Sequence, residues 1–111
     1  GKKIAVVSDV IEKLNLSNAT CQQIRCEQLN DTYEFVISRA VTAFPEFVTL
    51  TKQLVSKHRF NTIKNGIIYL KGGDLTEEMT PFKNKITTIN ISDYFENEFF
   101  TTKKIIYYPI V

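Results

Sequence analysis

Three segments of this chain pass from apolar residues to residues that can bind a ligand or take part in chemistry. Their polar ends are Arg25-Cys26-Glu27, Ser38-Arg39 and Lys71-Gly72-Gly73-Asp74. The Gly-Gly pair allows a backbone to approach a ligand closely, and the helix that we expect after Asp74 begins with free N–H groups. If the three ends lie together, they predict a ligand-binding rim.

The elements that would position these residues follow the order α-β-β-α-β-α-β-β. Helical spacing of Ile4, Val7, Ile11 and Leu14 predicts a first helix over 2–14. The other predicted elements are strands over 19–25 and 33–38, a helix over 44–55, a strand over 67–71, a helix over 75–82, and strands within "KITTINI" and "KIIYYPIV". The alternation favours an α/β fold with parallel strands, in which the last two strands pair antiparallel.

In such a sheet, ligands bind outside the carboxyl ends of the parallel strands, where the three polar ends would converge. Each end also has a simpler interpretation, since a charged residue after a strand is most often the first solvated position of a loop. Glu77 and Glu78 are interpreted as favourable charges in the first turn of a helix. His58 is interpreted as a loop residue, and Lys103-Lys104 as a solubilising pair.

Length and composition limit the alternatives. With 111 residues the chain is long enough for one domain, and a net charge of +2 permits nucleic-acid binding without indicating it. Cys21 and Cys26 are spaced for opposite faces of a strand, so no disulfide is expected between them. No metal-ligand spacing, signal peptide or membrane-spanning run is present, which predicts a cytoplasmic protein without a metal site.

Several of these segments together resemble a known family. "IRCEQ", "YEFVISRAV" with "FPEF", and "GIIYLKGGDLTEEM" occur in the order and spacing of the glucose-inhibited division protein B family. The opening "GKKI" is similar to the segment after that family's second strand, so the resemblance covers essentially the whole chain. Members are S-adenosyl-L-methionine-dependent methyltransferases of guanine N7 in 16S rRNA, which implies that cofactor and the small ribosomal subunit as partner.

The resemblance implies a Rossmann-like class I methyltransferase sheet, of which this chain would supply the C-terminal portion, strands three to seven. The family's glycine-rich cofactor loop would precede Gly1. We therefore expect residues 1–111 to form a single partial domain that is inactive alone and binds the cofactor weakly or not at all. The absent strands would leave an open sheet edge, at which the fragment is expected to dimerise.

The resemblance also implies roles for individual residues. Cys26 and Glu27 would border the cofactor's adenine, although the family more often has alanine or valine at the first position. Ser38 would also contact the cofactor, and Arg39 would lie near the methyl donor and the target nucleotide. The implied catalytic pair is Arg39 and Lys71, and the implied RNA contacts are Arg25, Lys71 and Gly72.

The implied reaction suits these residue types. Guanine N7 has a free lone pair and no proton, so its methylation needs positioning of two reactants and no general base. Cationic residues on the rim would hold RNA phosphates, and an unpaired guanine is accessible to such a cleft. Two alternatives stay open, namely a methyltransferase of the same fold with another substrate, and a non-catalytic α/β interaction module.

Overall fold

A computed structural model describes residues 2–39 and 42–110. Their regular elements are helices α1 (Lys2–Lys13), α2 (Phe44–Thr51) and α3 (Thr76–Met79), and strands β1 (Phe35–Arg39), β2 (Gly66–Gly72), β3 (Thr87–Asn90) and β4 (Lys103–Pro109). Short 3-10 turns follow α2 and α3 and occupy part of the β3–β4 connection. Within this part of the chain no helix is both long and apolar enough to cross a membrane.

Helix α1 ends as the sequence predicts. Asn15 has a positive φ of 51°, a conformation that asparagine tolerates better than most residues. The Leu16 N–H donates to the Ile11 carbonyl at 3.0 Å, and the Asn15 N–H donates to the Glu12 carbonyl at 3.1 Å. These two bonds form a Schellman motif, which satisfies carbonyl groups at the end of the helix.

The four strands form one sheet in the order β1-β2-β4-β3. Strands β1 and β2 are parallel, and β4 is antiparallel to both of its neighbours. The predicted α/β class, the parallel first pair and the antiparallel last pair are therefore confirmed. Strand β1 forms one edge of the sheet described here.

The predicted strand over 19–25 is wrong. Residues 19–25 have no regular secondary structure, and a 3-10 turn follows at Cys26–Gln28. A strand needs a neighbour that pairs with its backbone groups, and no described residues pair with this segment in a sheet. The residue types of a short segment do not reveal whether such a neighbour exists.

The core lies on the face of the sheet that α2 and α3 cover. Phe44 of α2, Ile67 and Tyr69 of β2, and Ile106 of β4 are at most 1% exposed. Pro45 in the first turn suits the start of α2, as expected from its fixed φ. On β1, Val36 packs against this core, whereas Ile37 points to the other face and is 66% exposed.

Candidate functional site

A cleft of about 500 Å³ opens at the carboxyl ends of β1 and β2. It is lined by three lysines, one arginine, Gly72 and four apolar side chains, namely Arg39, Leu70, Lys71, Gly72, Ile91, Phe99, Phe100, Lys103 and Lys104. None of these lining residues is acidic. The volume lies within the range of small-ligand sites in proteins.

The parallel pairing of β1 and β2 brings together two of the three polar ends predicted from the sequence. Arg39 pairs with Leu70 in the register of the two strands, so it lies beside Lys71 and Gly72. These three predicted site residues all line the cleft. Ser38 does not, and its hydroxyl donates to the Arg39 carbonyl oxygen at 2.6 Å.

The polar end Arg25-Cys26-Glu27 does not reach this cleft. Cys26 and Glu27 belong to the 3-10 turn that lies beside α2, Arg25 precedes it, and none of the three lines the cleft. Both cysteines are free thiols, as expected. The prediction that three polar ends converge on one rim is therefore correct for two of them and wrong for Arg25-Cys26-Glu27.

Lys71 is held by an acidic residue whose role the sequence did not reveal. Its ammonium donates to Glu78 Oε1 at 2.6 Å, and Glu78 Oε2 accepts from the Phe44 N–H at 2.8 Å. The hydrogen bond with Glu78 raises the pKa of Lys71 above its usual value. Burial likewise raises the pKa of the neighbouring Tyr69 phenol. Glu78 thus joins β2 to the first turn of α2, and it fixes the position of the Lys71 charge.

Replacing Glu78 with glutamine is expected to lower the free energy of unfolding by about 1 to 3 kcal/mol. The amide keeps one acceptor, but it loses the charge that strengthens both hydrogen bonds. Denaturant unfolding of the complete gene product that contains this sequence, followed by circular dichroism, measures the change. Glu77→Gln is the matched control, because Glu77 is exposed on the same helix and should shift stability by less than about 0.5 kcal/mol. Equal effects of the two substitutions would contradict the bridging role.

Strand β4 supplies cationic residues that the sequence interpretation assigned to solubility. Because β4 runs antiparallel to β2, its first residues lie at the carboxyl end of β2, where Lys103 pairs with Gly72. The Lys104 ammonium donates to the Gly73 carbonyl at 3.2 Å. A methyl group on Gly72 would lie 2.9 Å from Lys103 Cδ, so glycine leaves room for that side chain.

Gly73 and Asp74, which follow Lys71 and Gly72, form a turn. Gly73 has a φ of 83°, and the Asp74 carboxylate accepts from the Thr76 N–H at 3.0 Å. This backbone hydrogen bond lowers the pKa of Asp74. Asp74 therefore closes the turn one residue before Leu75, the N-cap residue of α3, and it does not line the cleft.

Comparisons with known proteins point to one family. The family model for rRNA small subunit methyltransferase G (GidB) matches residues 1–106. Ribosomal RNA small subunit methyltransferase G of Christiangramia forsetii is 46% identical over 110 residues, which cover 99% of this chain and 52% of that protein. The Flavobacterium psychrophilum protein of the same name is 47% identical over 109 residues, and the Parabacteroides distasonis protein is 38% identical over 110.

The chain spans about half the length of these relatives, 52%, 52% and 48% respectively. The match nevertheless extends over nearly all of the sequence, including both strands whose ends form the cleft. The chain belongs to the rRNA small subunit methyltransferase G family.

Proposed function

We propose that this chain is the C-terminal part of a protein that methylates guanine N7 in 16S rRNA, with S-adenosyl-L-methionine as the methyl donor. The observation that carries the proposal is the cationic cleft at the carboxyl ends of β1 and β2, in a chain of an rRNA methyltransferase family. In open α/β sheets this end of the strands is where ligands bind. The proposed setting is the cytoplasm, where the small ribosomal subunit is found.

The charges of the cleft support an RNA substrate. Arg39, Lys71, Lys103 and Lys104 line it together, whereas no carboxylate of residues 2–39 and 42–110 does. Lys71 is neutralised by Glu78, but neither Arg39 nor Lys103 forms an ion pair within residues 2–39 and 42–110. Unpaired cations on a concave surface attract phosphate groups, which dominate the affinity of proteins for nucleic acids.

The same residues fit the cofactor less completely. The lining donors are cationic, which suits a carboxylate or a phosphate but not the positive sulfonium of S-adenosyl-L-methionine. Cys26 and Glu27, proposed to border the adenine, do not line the cleft. We therefore propose that the described cleft faces mainly the RNA, and that residues outside this chain complete the cofactor pocket.

The proposed reaction does not require a general acid or base from this chain. Guanine N7 has a lone pair available for attack, so the residues of the cleft need only hold the nucleotide in line with the donated methyl group. Arg39 and Lys71 are proposed for this task, with Gly72 leaving room for Lys103. Arg25 stays a proposed RNA contact outside the cleft.

Arg39→Ala should reduce kcat/KM for methyl transfer to small-subunit RNA by about 10- to 100-fold in the complete protein. The substitution removes an exposed cation at the end of β1 and leaves the buried core intact. Transfer of a labelled methyl group measures the rate, and nucleoside analysis of the product identifies the methylated atom. Arg59→Ala is the matched control, since Arg59 precedes β2 and lies in a loop at the amino end of that strand.

Three results would count against the proposal. Wild-type protein that transfers no methyl group to the RNA would overturn the function, and a product other than N7-methylguanine would overturn the proposed atom. An unchanged rate in Arg39→Ala would remove the role of that residue only.

A further inference from the structure

The β3–β4 connection contributes aromatic side chains to the cleft that are not needed for methyl transfer itself. Phe99 and Phe100 line the cleft beside Lys103, and Phe99 remains 65% exposed. Phe99 is not isolated, because Phe95 of the same connection is 58% exposed and both rings pack against Phe100. A contiguous exposed apolar patch of this kind marks a site of interaction. A ligand with an apolar face would cover it.

The Phe99 ring is held in place without being covered. The Lys103 ammonium lies 4.8 Å from the centre of the ring, within the distance of a cation–π contact. Phe100 packs edge-on against the same ring, with centroids 5.2 Å apart and an angle of 82° between the planes. Asn97 also orders the turn, since its side chain accepts from the Phe99 N–H at 2.8 Å.

We infer that Phe99 is a stacking platform for an unpaired RNA base, and that Lys103 binds the phosphate next to that base. The inference rests on the proposed function, which makes RNA the substrate, and it assigns a subsite within the cleft. Single-stranded nucleic acids are bound by this combination of aromatic rings and cations, because every base has a face that can stack. Stacking requires a base outside a duplex, so the subsite would select unpaired RNA.

The charges around the platform agree with this ligand. Arg39, Lys103 and Lys104 provide positive charge along the cleft beside Phe99. Asp93, Glu96 and Glu98 lie on the same connection, but none of these carboxylates lines the cleft. An anionic strand could therefore follow the cations while one base stacks on the ring.

Fluorescence anisotropy with the complete protein tests the platform. The probes are a labelled single-stranded RNA of about 12 nucleotides that contains guanine, and the same strand in a duplex. Phe99→Ala should weaken binding of the single strand by about 5- to 100-fold and leave binding of the duplex nearly unchanged. Phe99→Trp keeps an aromatic face and should retain the affinity of the wild type, which separates stacking from a general packing defect.

Two further variants make the test specific. Tyr94→Ala is the matched control, because Tyr94 is 74% exposed on the same connection but does not line the cleft. It should bind both probes like the wild type. Lys103→Ala should weaken binding of both probes and lower the slope of log affinity against log salt by about 1, as expected for a lost phosphate contact.

The outcomes distinguish this inference from the proposed function. Wild-type affinity of Phe99→Ala for the single strand would overturn the platform while leaving the methyl-transfer proposal intact. Equal losses for single strand and duplex, or a rise only in the KM for the methyl donor, would also overturn it. Wild-type protein that neither binds nor methylates RNA would overturn the proposed function itself.

Discussion

Replacing Phe44 with alanine is expected to lower the free energy of unfolding by about 3 to 5 kcal/mol. Phe44 is fully buried at the start of α2, where it contacts three other aromatic rings. Its ring centre lies 5.1 Å from that of Tyr69, 5.0 Å from Phe82 and 6.0 Å from Tyr108. Alanine would leave a cavity between α2, the segment after α3, and the central strands of the sheet.

Denaturant unfolding of the complete protein measures this loss, and Phe60→Ala is its matched control. Phe60 is 77% exposed, so its truncation should change stability by less than about 0.5 kcal/mol. A loss of less than about 1 kcal/mol in Phe44→Ala would show that the aromatic cluster does not pack as described.

Gly66→Ala is expected to destabilise the protein by about 3 kcal/mol or more, an unusually large effect for one added methyl group. Gly66 begins β2 and faces Pro109 of β4. A Cβ at this position would lie against the Tyr108 carbonyl oxygen and 2.9 Å from Pro109 Cα. These are backbone atoms of a paired strand, so relief requires β2 and β4 to move apart.

Gly73→Ala is the control for this prediction. A Cβ on Gly73 would meet no atom within 4 Å, and only its φ of 83° opposes the substitution. The expected cost is about 1 to 2 kcal/mol. If Gly73→Ala proved as damaging as Gly66→Ala, the close approach of β4 would not be the cause. Thermal unfolding of the two variants side by side gives the comparison.

The local patterns of the sequence predicted much of the fold. Spacing and turn residues predicted helix α1, the start of α2 around Pro45 in its first turn, and the strands around Phe35–Arg39 and Gly66–Gly72. The same patterns placed Arg39 and Lys71 at neighbouring strand ends, and the structure brings both to one cleft. These features depend on residues close to one another in the chain.

Features that depend on distant partners were missed. The segment 19–25 was predicted to be a strand but has no neighbour to pair with in the described chain. The position of Glu78 predicts only a favourable charge at a helix start, although its carboxylate accepts hydrogen bonds from Lys71 and from the Phe44 N–H. Asn65-Gly66 is a residue pair typical of turns, whereas Asn65 is buried and Gly66 lies in a strand.

The positions of Lys103 and Lys104 also depend on residues that are distant in the chain. Their place in the cleft depends on β4 being inserted between β2 and β3, which no local pattern near them indicates. An antiparallel strand begins at the edge of the sheet where its parallel neighbours end. This rule would have identified both lysines as residues of the cleft. Phe99 precedes Lys103 by four residues but lies in a 3-10 turn, and no local pattern marks it as a residue of the cleft.

The position of β4 also has a consequence for synthesis of the chain. It is the last of the described strands to be made, yet it lies inside the sheet and pairs with both β2 and β3. A growing chain on the ribosome therefore carries β2 and β3 with open edges until residues 103–109 emerge. Closure of the sheet, and of the cleft with it, has to wait for nearly the whole described sequence to be translated.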